Sequence, residues 1–325
     1  MLDAALVGMG RWGQTLVDSV QGRNGTGIRF VAGATRTPGR ARAWATEKGL
    51  DLLPDLDAVL ADPRVKAVVL ATPHKQHAEQ VIAAARAGKH VFVEKPFTLS
   101  KASAEAAVAA CREAGVVMAL GHNRRFLPAV LEMKRLLAEG VLGTLLHVEG
   151  QISGANADNW KAGMWRADPH ESPLGGMGAM GIHMIDAMIN LAGPIERVSV
   201  ISQAQVLTNG LDDTTAMLCR FHGGPTGLFA TLASAPRVWR LALFGSQGRV
   251  EQRDLETLVF HPRQGEGWER RFDSADIERA ELEAFAAAVA GGPAYPLPLE
   301  DAIHGVSVFE TMIHANASGG PALVP

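Results

Sequence analysis

The sequence predicts an α/β protein. We expect an N-terminal doubly wound parallel sheet, followed by a C-terminal α+β domain with a large, predominantly antiparallel open sheet. In the first 120 residues, apolar strand-like runs alternate with amphipathic helix-like runs, which is typical of a parallel sheet covered by helices on both faces. After Gly121, strand-like runs follow one another through short turns, which is typical of an antiparallel or mixed sheet.

The first predicted domain comprises residues 1–122, and its elements follow from hydrophobic periodicity. Its strand-like runs are Ala4–Val7, Ile28–Ala34, Ala67–Ala71, His90–Val93 and Val116–Leu120. Its helix-like runs are Gln14–Val20, Pro38–Lys48, Gln76–Ala87 and Ser100–Ala114. Ser100 is the expected N-cap of the last helix, while Gly88 and Gly115 stand where left-handed caps are expected.

The second predicted domain comprises residues 123–325 and is rich in strands. Its strand-like runs are Leu145–Ile152, Val198–Leu207, Thr214–Phe221, Gly227–Ser234, Trp239–Phe244 and Thr257–Phe260. Its helix-like runs are Arg125–Ala138, Met180–Leu191, Ile277–Ala290 and Leu299–Ala317. Two strand-like runs, Ala216–Phe221 and Leu228–Leu232, carry apolar residues on both alternating sets. We therefore expect the open sheet face to be buried in a homodimer or homotetramer.

Composition excludes several classes of partner. The chain has 325 residues, a formal charge of −3 and no basic block, so nucleic acid is not an expected partner. No apolar run approaches the ~20 residues that span a bilayer, so no membrane association is expected. The first strand begins almost directly after Met1, which leaves no room for a signal peptide. Cys111 and Cys219 lack metal-binding spacing, which favours buried thiols in a reducing cytoplasm and no metal site.

The first strand leads into a glycine-rich turn, Gly8-Met9-Gly10-Arg11-Trp12-Gly13. In a G-x-G-x-x-G turn, the first glycine permits a tight turn and the second lets a pyrophosphate approach the backbone. The third lets the next helix pack closely, and the N-terminus of that helix binds the phosphates. The strand before the turn and the helix after it favour a Rossmann dinucleotide site. The alternative is a tight turn with no ligand.

The second strand ends in Thr35 and Arg36, and Arg40 follows one helical turn later. A cofactor with a free ribose 2′-hydroxyl usually meets Asp or Glu at this position, and neither is present. A hydroxyl and two guanidinium groups suit a 2′-phosphate instead. NADP is therefore favoured over NAD, although both arginines would also be explained as solvated side chains at the start of a helix.

Polar residues also follow later strands of the first domain. Thr72, Pro73 and His74 come after the run Ala67–Ala71, and His77 lies three residues further on. This is the carboxyl end of a parallel strand, where ligands bind in open α/β sheets. The alternative for each histidine is a surface position. Lys95, in the tripeptide Glu-Lys-Pro, follows another strand, from which it can hydrogen-bond a substrate hydroxyl.

Taken together, these motifs resemble the Gfo/Idh/MocA family of NAD(P)-dependent sugar and cyclitol oxidoreductases. The resemblance covers nearly the whole chain. The matching residues are the glycine turn Gly8 to Gly13, Ala71-Thr72-Pro73 with His77, Glu94-Lys95-Pro96, Gly121 to Pro128, Trp165-Arg166, and the stretch ending Gly181-Ile182-His183-Met184-Ile185-Asp186.

The resemblance implies roles for individual residues. Lys95 matches a lysine that contacts the nicotinamide ribose and the substrate, and His183 matches the proton acceptor for the substrate hydroxyl. Asn123 would lie beside the nicotinamide and the substrate, and Trp165 and Arg166 would lie near the cofactor. The full expected cofactor set is Gly8, Gly10, Arg11, Trp12, Gly13, Thr35, Arg36, Arg40, Thr72, Pro73, His77, Glu94, Lys95, Asn123, Trp165 and Arg166.

One position departs from the family pattern. Ala179 stands four residues before His183, where the family often has an aspartate that completes a Lys-Asp-His constellation. Asp168 or Glu171 could substitute for that acid, or Lys95 and His183 could suffice. Alternatively, the protein could bind its ligands without turnover.

We therefore expect an NAD(P)-dependent oxidoreductase that transfers hydride between nicotinamide and a secondary alcohol or ketone of a small sugar, polyol or cyclitol. Two alternatives remain open at this point. One is a cofactor-binding regulatory or sensor protein of the same fold. The other is a glycosidase-type enzyme that cycles a retained cofactor.

Overall fold

The structure is a computed structural model that describes residues 1–161 and 163–325. It divides into two compact units. The first unit comprises Met1–Asn123 and Asp276–Ala302, and the second unit comprises Arg124–Ala275 and Ile303–Pro325. The predicted fold class is confirmed, with one parallel sheet and one larger, mostly antiparallel sheet.

The first unit contains a six-stranded, fully parallel sheet with helices between its strands. Its elements are β1 (Leu2–Val7), α1 (Arg11–Val20), β2 (Ile28–Ala34), α2 (Pro38–Lys48), β3 (Asp51–Leu53), α3 (Leu56–Ala61), β4 (Ala67–Leu70), α4 (His77–Arg86), β5 (His90–Glu94), α5 (Lys101–Glu113) and β6 (Met118–Gly121). The strand order is β3-β2-β1-β4-β5-β6, in which the direction of winding reverses between β1 and β4.

Local sequence explains where these elements begin and end. Every residue of β4 is buried, as expected for a strand covered on both faces. Ser100 caps α5 by accepting the Ser103 N–H at 3.3 Å, and Asp55 caps α3 by accepting the Ala58 N–H at 2.8 Å. The sequence prediction missed β3 and α3, which have three and six residues and show too short a periodic pattern.

The second unit contains a nine-stranded sheet. Its elements include α6 (Pro128–Ala138), β7 (Leu145–Ser153), α7 (Gly181–Ala192), β8 (Ile195–Gln203), β9 (Thr214–Phe221), β10 (Thr226–Leu232), β11 (Val238–Gly245), β12 (Gly248–Gln252), β13 (Thr257–Pro262) and β14 (Trp268–Arg271). The chain continues through α8 (Ile277–Val289), α9 (Leu299–Ser318) and β15 (Ala322–Leu323). The strand order is β14-β13-β12-β11-β7-β10-β9-β8-β15, and within it β7 and β10 run parallel.

Glycines let α7 pack tightly against one face of this sheet. A Cβ at Gly150 of β7 would lie 2.6 Å from Cγ of Met184, and one at Gly227 of β10 would lie 3.1 Å from Cε of Met188. A Cβ at either position would force the methionine side chain, or the helix that carries it, to shift. The glycines therefore allow the close packing of α7 on the strands beneath it.

Helix α8 packs with the first unit although it follows the strands of the second. Leu282, Phe285 and Ala286 are buried in one cluster with residues of β1, β2 and β5, and the Phe285 ring stands edge-on to Phe92 at 5.8 Å. The sequence prediction had placed all of 123–325 in one domain. The segment Asp276–Ala302 groups with the first unit because the apolar face of α8 completes that core.

The opposite sheet face of the second unit carries exposed apolar residues. Leu218 of β9 and Leu228 of β10 are directly paired and 52% and 47% exposed, and Ile201 of β8 is 68% exposed. In the described part of the chain, no helix is long and apolar enough to cross a membrane.

Removal of the Phe285 ring tests the contribution of α8 to the first unit. Phe285 is fully buried, so we expect Phe285→Ala to lower the free energy of unfolding by about 3–5 kcal/mol through lost contacts and a cavity. Urea denaturation measures the change. The control Leu131→Ala, at a 54% exposed position of α6, should change the free energy by less than about 0.5 kcal/mol. Equal effects of the two substitutions would show that α8 does not complete this core.

Candidate functional site

Five of the predicted cofactor residues follow parallel strands at their carboxyl ends. Gly8 follows β1, Thr35 follows β2, Thr72 comes shortly after β4, Glu94 ends β5 and Asn123 comes shortly after β6. Because the sheet is fully parallel, all five lie at the same edge. Ligands of open α/β sheets bind outside this edge, where the winding direction reverses.

The glycine turn at the end of β1 has no room for side chains. Gly8 has φ +96°, and a Cβ there would lie 2.4 Å from the carbonyl oxygen of Ala71. A Cβ at Gly13 would lie 2.3 Å from the carbonyl oxygen of Gly8. The first and third glycines are therefore required by backbone contacts, as the motif predicted.

Gly10 differs from these two glycines, because a Cβ there would meet nothing within 4 Å. It is the N-cap of α1, and no side chain caps the helix at this position. No side chain therefore caps the first backbone N–H groups of α1, and the space beside Gly10 is open. An uncapped N-terminus of this kind fits the pyrophosphate of a dinucleotide.

The residues predicted to select the cofactor lie beyond β2. Thr35 is half-buried, whereas Arg36 and Arg40 are exposed. Within residues 1–161 and 163–325, neither guanidinium forms an ion pair with a carboxylate. Both charges therefore remain available to an external anion.

His77 holds the backbone of two of the predicted loops together. Its ring is fully buried, with Nδ1 at 2.9 Å from the carbonyl oxygen of Pro96 and Nε2 at 3.0 Å from that of Thr72. Burial lowers the pKa of His77 despite these carbonyl contacts. The surface position considered from sequence is wrong for His77 and also for His74, which is 7% exposed. Nearby, the Thr72 hydroxyl donates to Oε1 of Gln80 at 2.6 Å.

Glu94 places a carboxyl group inside the first unit. It is 4% exposed, its Oε2 accepts the N–H of Lys95 at 3.2 Å, and its Oε1 would lie 2.7 Å from a Cβ at Gly121. Burial and, to a smaller extent, the charge of Glu278 raise the pKa of Glu94 to about 7, against the opposing effects of Lys95 and the indole of Trp12. The peptide bond between Lys95 and Pro96 is cis.

Asn123 is bound by a residue that sequence reasoning missed. The side chain is 1% exposed, and its Nδ2 donates to Oε1 of Glu278, on the first turn of α8, at 2.9 Å. The two residues are 155 positions apart, so no local spacing indicates the contact. Only the packing of α8 into the first unit brings Glu278 to the end of β6.

In the second unit, α7 carries His183, which is 7% exposed. One turn later, the buried carboxylate of Asp186 pairs with the buried guanidinium of Arg125. Their closest atoms, Nη2 and Oδ1, are 2.8 Å apart, and Nε also contacts both carboxylate oxygens. This paired arrangement holds the first half of α7 to the segment that follows β6. Asp186 and Arg125 lie 61 positions apart, so no local spacing indicates this pair.

The remaining predicted residues lie in the segment before α7. Trp165 and Arg166 stand on a short 3-10 turn, where the guanidinium carbon lies 4.1 Å from the centre of the indole ring. Ala179 is half-buried. Of the two acids considered as substitutes, Glu171 is 7% exposed, while Asp168 is half-buried and its Oδ1 accepts the His170 N–H at 2.9 Å.

Potential metal ligands do not cluster in the part of the chain that the structure describes. No group of three or more His, Cys, Asp or Glu side chains is arranged there to hold a metal ion.

Two models of one protein family match the sequence. The model described as an oxidoreductase family with an NAD-binding Rossmann fold, GFO_IDH_MocA, matches residues 2–122. The model of the GFO/IDH/MocA C-terminal domain matches residues 130–251. Together the two matches cover well over half of the chain.

Individual proteins are similar over different lengths. The 1,5-anhydro-D-fructose reductase of Ensifer adhaerens is 26% identical over 316 residues, which are 91% of each chain. The NAD(+)-dependent scyllo-inositol 2-dehydrogenase of Bacillus subtilis strain 168 is 37% identical over 151 residues, covering 45% of this chain and 43% of that protein. A solved structure of levoglucosan dehydrogenase with NADH and L-sorbose superposes with a TM-score of 0.89, at 22% identity, over 100% of this chain and 99% of that one.

The buried carboxyl of Glu94 predicts a pH-dependent cost to stability. In the folded protein the Glu94 carboxyl stays protonated up to about pH 7, whereas in the unfolded chain it loses its proton near pH 4.5. Between these values the folded state binds more protons, so the free energy of unfolding contributed by Glu94 falls as the pH rises. We expect Glu94→Gln, which has no charge to bury, to raise the melting temperature of the cofactor-free protein more at pH 8 than at pH 5. Calorimetry at the two pH values measures this difference.

The control for this experiment is Glu105→Gln, which changes a carboxylate with a 54% exposed side chain on α5. Its effect on the melting temperature should be the same at both pH values. If Glu94→Gln behaves like this control, the Glu94 carboxyl titrates normally.

Proposed function

The chain belongs to the Gfo/Idh/MocA oxidoreductase family, and from this premise we propose that it oxidises a secondary alcohol of a sugar, polyol or cyclitol, or reduces the corresponding ketone, with NAD(P). The observation that carries the proposal is the glycine turn. It leaves open space at Gly10 beside an uncapped helix N-terminus, at the sheet edge where dinucleotides bind. The relatives named for sugar and inositol chemistry support this substrate class.

The proposed roles follow from the chemistry of each side chain. A bound nicotinamide supplies the hydride acceptor or donor. The N–H groups at the start of α1 bind the pyrophosphate. Lys95 donates a hydrogen bond to the substrate oxygen and contacts the nicotinamide ribose, and Asn123 binds at the nicotinamide end. His183 accepts the hydroxyl proton during oxidation, while Trp165 and Arg166 contribute to cofactor binding.

Ala179 stands at the position where the family often has an aspartate, four residues before His183. We propose that Lys95 and His183 carry out proton transfer in this chain, and that Asp186 holds α7 through its pair with Arg125.

Cofactor absorbance during turnover tests the proposal. A panel of sugars, polyols and cyclitols is incubated with NAD or NADP, and products are analysed in parallel. We expect net reduction of the cofactor together with a ketone product. Product without a net absorbance change would instead indicate an enzyme that cycles a retained cofactor, and tight cofactor binding without product would indicate a sensor.

Substitution of Lys95 tests its role in catalysis. We expect Lys95→Met to lower kcat about 100-fold or more, because the lost hydrogen bond strengthens in the transition state. The Kd of the cofactor should change only a few-fold. Steady-state kinetics and cofactor titration measure the two quantities, and His183→Ala should likewise lose most of its oxidation activity. Unchanged turnover in Lys95→Met would remove this residue from the mechanism.

We further propose that the cofactor is preferentially NADP. Arg36 and Arg40 are exposed just beyond β2, the half-buried Thr35 offers a hydroxyl beside them, and that strand end carries no carboxylate of the kind that would bind a free ribose hydroxyl. Guanidinium groups bind phosphate with charge-assisted, often bidentate hydrogen bonds.

Charge reversal at Arg36 tests this preference. Loss of a charge-assisted contact to the 2′-phosphate costs about 1.5–3 kcal/mol, so Arg36→Asp should weaken NADPH binding by about 10- to 150-fold. NADH binding should hardly change. Titration calorimetry with both cofactors measures the effect. Tighter binding of NADH than of NADPH to the unmodified protein would contradict the proposal.

The exposed sheet face of the second unit supports the proposal of a homodimer or homotetramer. Leu218 and Leu228 form an apolar pair across β9 and β10, and Ile201 adds a third exposed side chain on β8. Ion pairs border this group, including Arg220 with Glu196 at 2.6 Å. An apolar centre with a charged rim is typical of a subunit interface.

We expect light scattering at micromolar protein to give about two or four times the 34.4 kDa of one chain. Because their positions are exposed, Leu218→Glu and Leu228→Glu should lower this mass without unfolding the chain. The control Leu131→Glu, at an exposed position of α6, should leave the mass unchanged. A mass of 34.4 kDa for the unmodified protein would refute the proposal.

We also propose that the protein works in the cytoplasm. The two cysteines form no disulfide, and burial raises the pKa of Cys111 to about 11 and that of Cys219 to about 12. Unreactive, unpaired thiols are typical of proteins from reducing compartments.

A further inference from the structure

The hydrogen bond between Asn123 and Glu278 determines which atom of the Asn123 amide is left for a ligand. Nδ2 donates to Oε1 of Glu278 at 2.9 Å. A carboxylate can only accept hydrogen bonds, so it selects the amide nitrogen and turns the amide oxygen away from itself. Oδ1 of Asn123 is fully buried and has no hydrogen-bond partner within residues 1–161 and 163–325.

Glu278 is held firmly enough to set this orientation. It lies on the first turn of α8, where Asp276 caps the helix by accepting the Arg279 N–H at 3.1 Å. The buried side chains of Leu282 and Phe285 anchor the same helix in the core of the first unit. Glu278 therefore has a defined position from which it can orient the side-chain amide of Asn123.

The location of Asn123 indicates the kind of ligand that its oxygen meets. The residue follows β6, in the half of the sheet formed by β4, β5 and β6. In a doubly wound sheet each half binds one mononucleotide, and Arg36 and Arg40 follow β2 in the opposite half. If those arginines bind the adenosine ribose, the half that contains Asn123 receives the nicotinamide nucleotide.

We infer that Glu278 is a positioning residue that orients Asn123, so that Oδ1 accepts a hydrogen bond from an N–H or O–H donor of the nicotinamide nucleotide. This inference rests on the proposed function. Two groups of that nucleotide supply such a donor, namely the carboxamide N–H and the ribose hydroxyls. A buried acceptor that lacks a partner in the free protein gains a favourable contact when either donor arrives.

A double-mutant cycle tests the inference on the full chain. Glutamine at position 278 can donate or accept, so Glu278→Gln no longer selects the amide orientation of Asn123. By titration calorimetry, we expect Glu278→Gln to raise the Kd of NADH or NADPH, whichever binds more tightly, by about twofold, because about half of the molecules would then hold the amide in the wrong orientation. In an Asn123→Ala background the same substitution should leave the Kd unchanged, because the amide that it orients is gone.

The cycle separates positioning from a second effect of Glu278. The charge of Glu278 also acts on Glu94, whose pKa it raises. Lys95 also acts on that carboxyl, and it remains in all the variants. A twofold penalty that persists in the Asn123→Ala background would therefore assign the effect to this charge and overturn the inference. If Asn123→Ala does not fold, Asn123→Ser provides the background.

Glu283→Gln is the matched control, since Glu283 lies on the same helix and pairs with Arg279 at 2.7 Å. It should leave the Kd equal to that of the unmodified protein. The 3-acetylpyridine analogue of the cofactor, which lacks the carboxamide N–H, distinguishes the two donors. A penalty that disappears with the analogue assigns the carboxamide, and one that remains assigns a ribose hydroxyl.

Two negative results have different meanings. Equal cofactor affinity of the unmodified protein and Glu278→Gln would overturn this inference and leave the proposed function intact. Failure of the unmodified protein to bind either NADH or NADPH would overturn the proposed function as well.

Discussion

The contact between two backbone segments at the edge of the parallel sheet governs the rest of the first unit. Gly8 approaches Ala71 so closely that a single methyl group would meet a carbonyl oxygen at 2.4 Å. This contact fixes the turn after β1, and the turn fixes where α1 begins. Gly13 then brings α1 against the same turn. The open N-terminus, on which dinucleotide binding depends, is thus a consequence of backbone packing rather than of any polar side chain.

At the same sheet edge, a buried carboxyl group that lowers the stability of the fold lies close to apolar packing that raises it. Glu94 keeps a carboxyl group away from water, and its raised pKa shows that ionisation there is unfavourable. Nearby apolar packing offsets such costs, because Phe92 lies on the same strand as Glu94 and stacks edge-on with Phe285. The strands form the framework of this site, and α8 adds buried apolar area. The free energy gained from that burial offsets the cost of burying the polar groups.

Sequence patterns predicted those features that depend on residues close together in the chain. The bounds of β2 and α2 agree with the predicted runs, because each has a clear period and distinct ends. The sequence did not predict four short strands, β3, β12, β14 and β15, because each is too short to show a periodic pattern. The contacts of Asn123 with Glu278 and of Arg125 with Asp186 join distant segments, so spacing could not indicate them. Periodicity likewise predicted helix α8 but not the core in which it is buried.

The return of α8 to the first unit also has a consequence for synthesis on the ribosome. The chain finishes β6 at residue 121, but the helix that completes the surrounding core ends only at residue 289. At ~5–20 residues per second, translation of the intervening stretch takes roughly 8–34 seconds. During that interval the emerged N-terminal segment has an apolar surface that its own residues do not cover. Chaperones that bind nascent chains would therefore meet this protein with its nucleotide-binding half still incomplete.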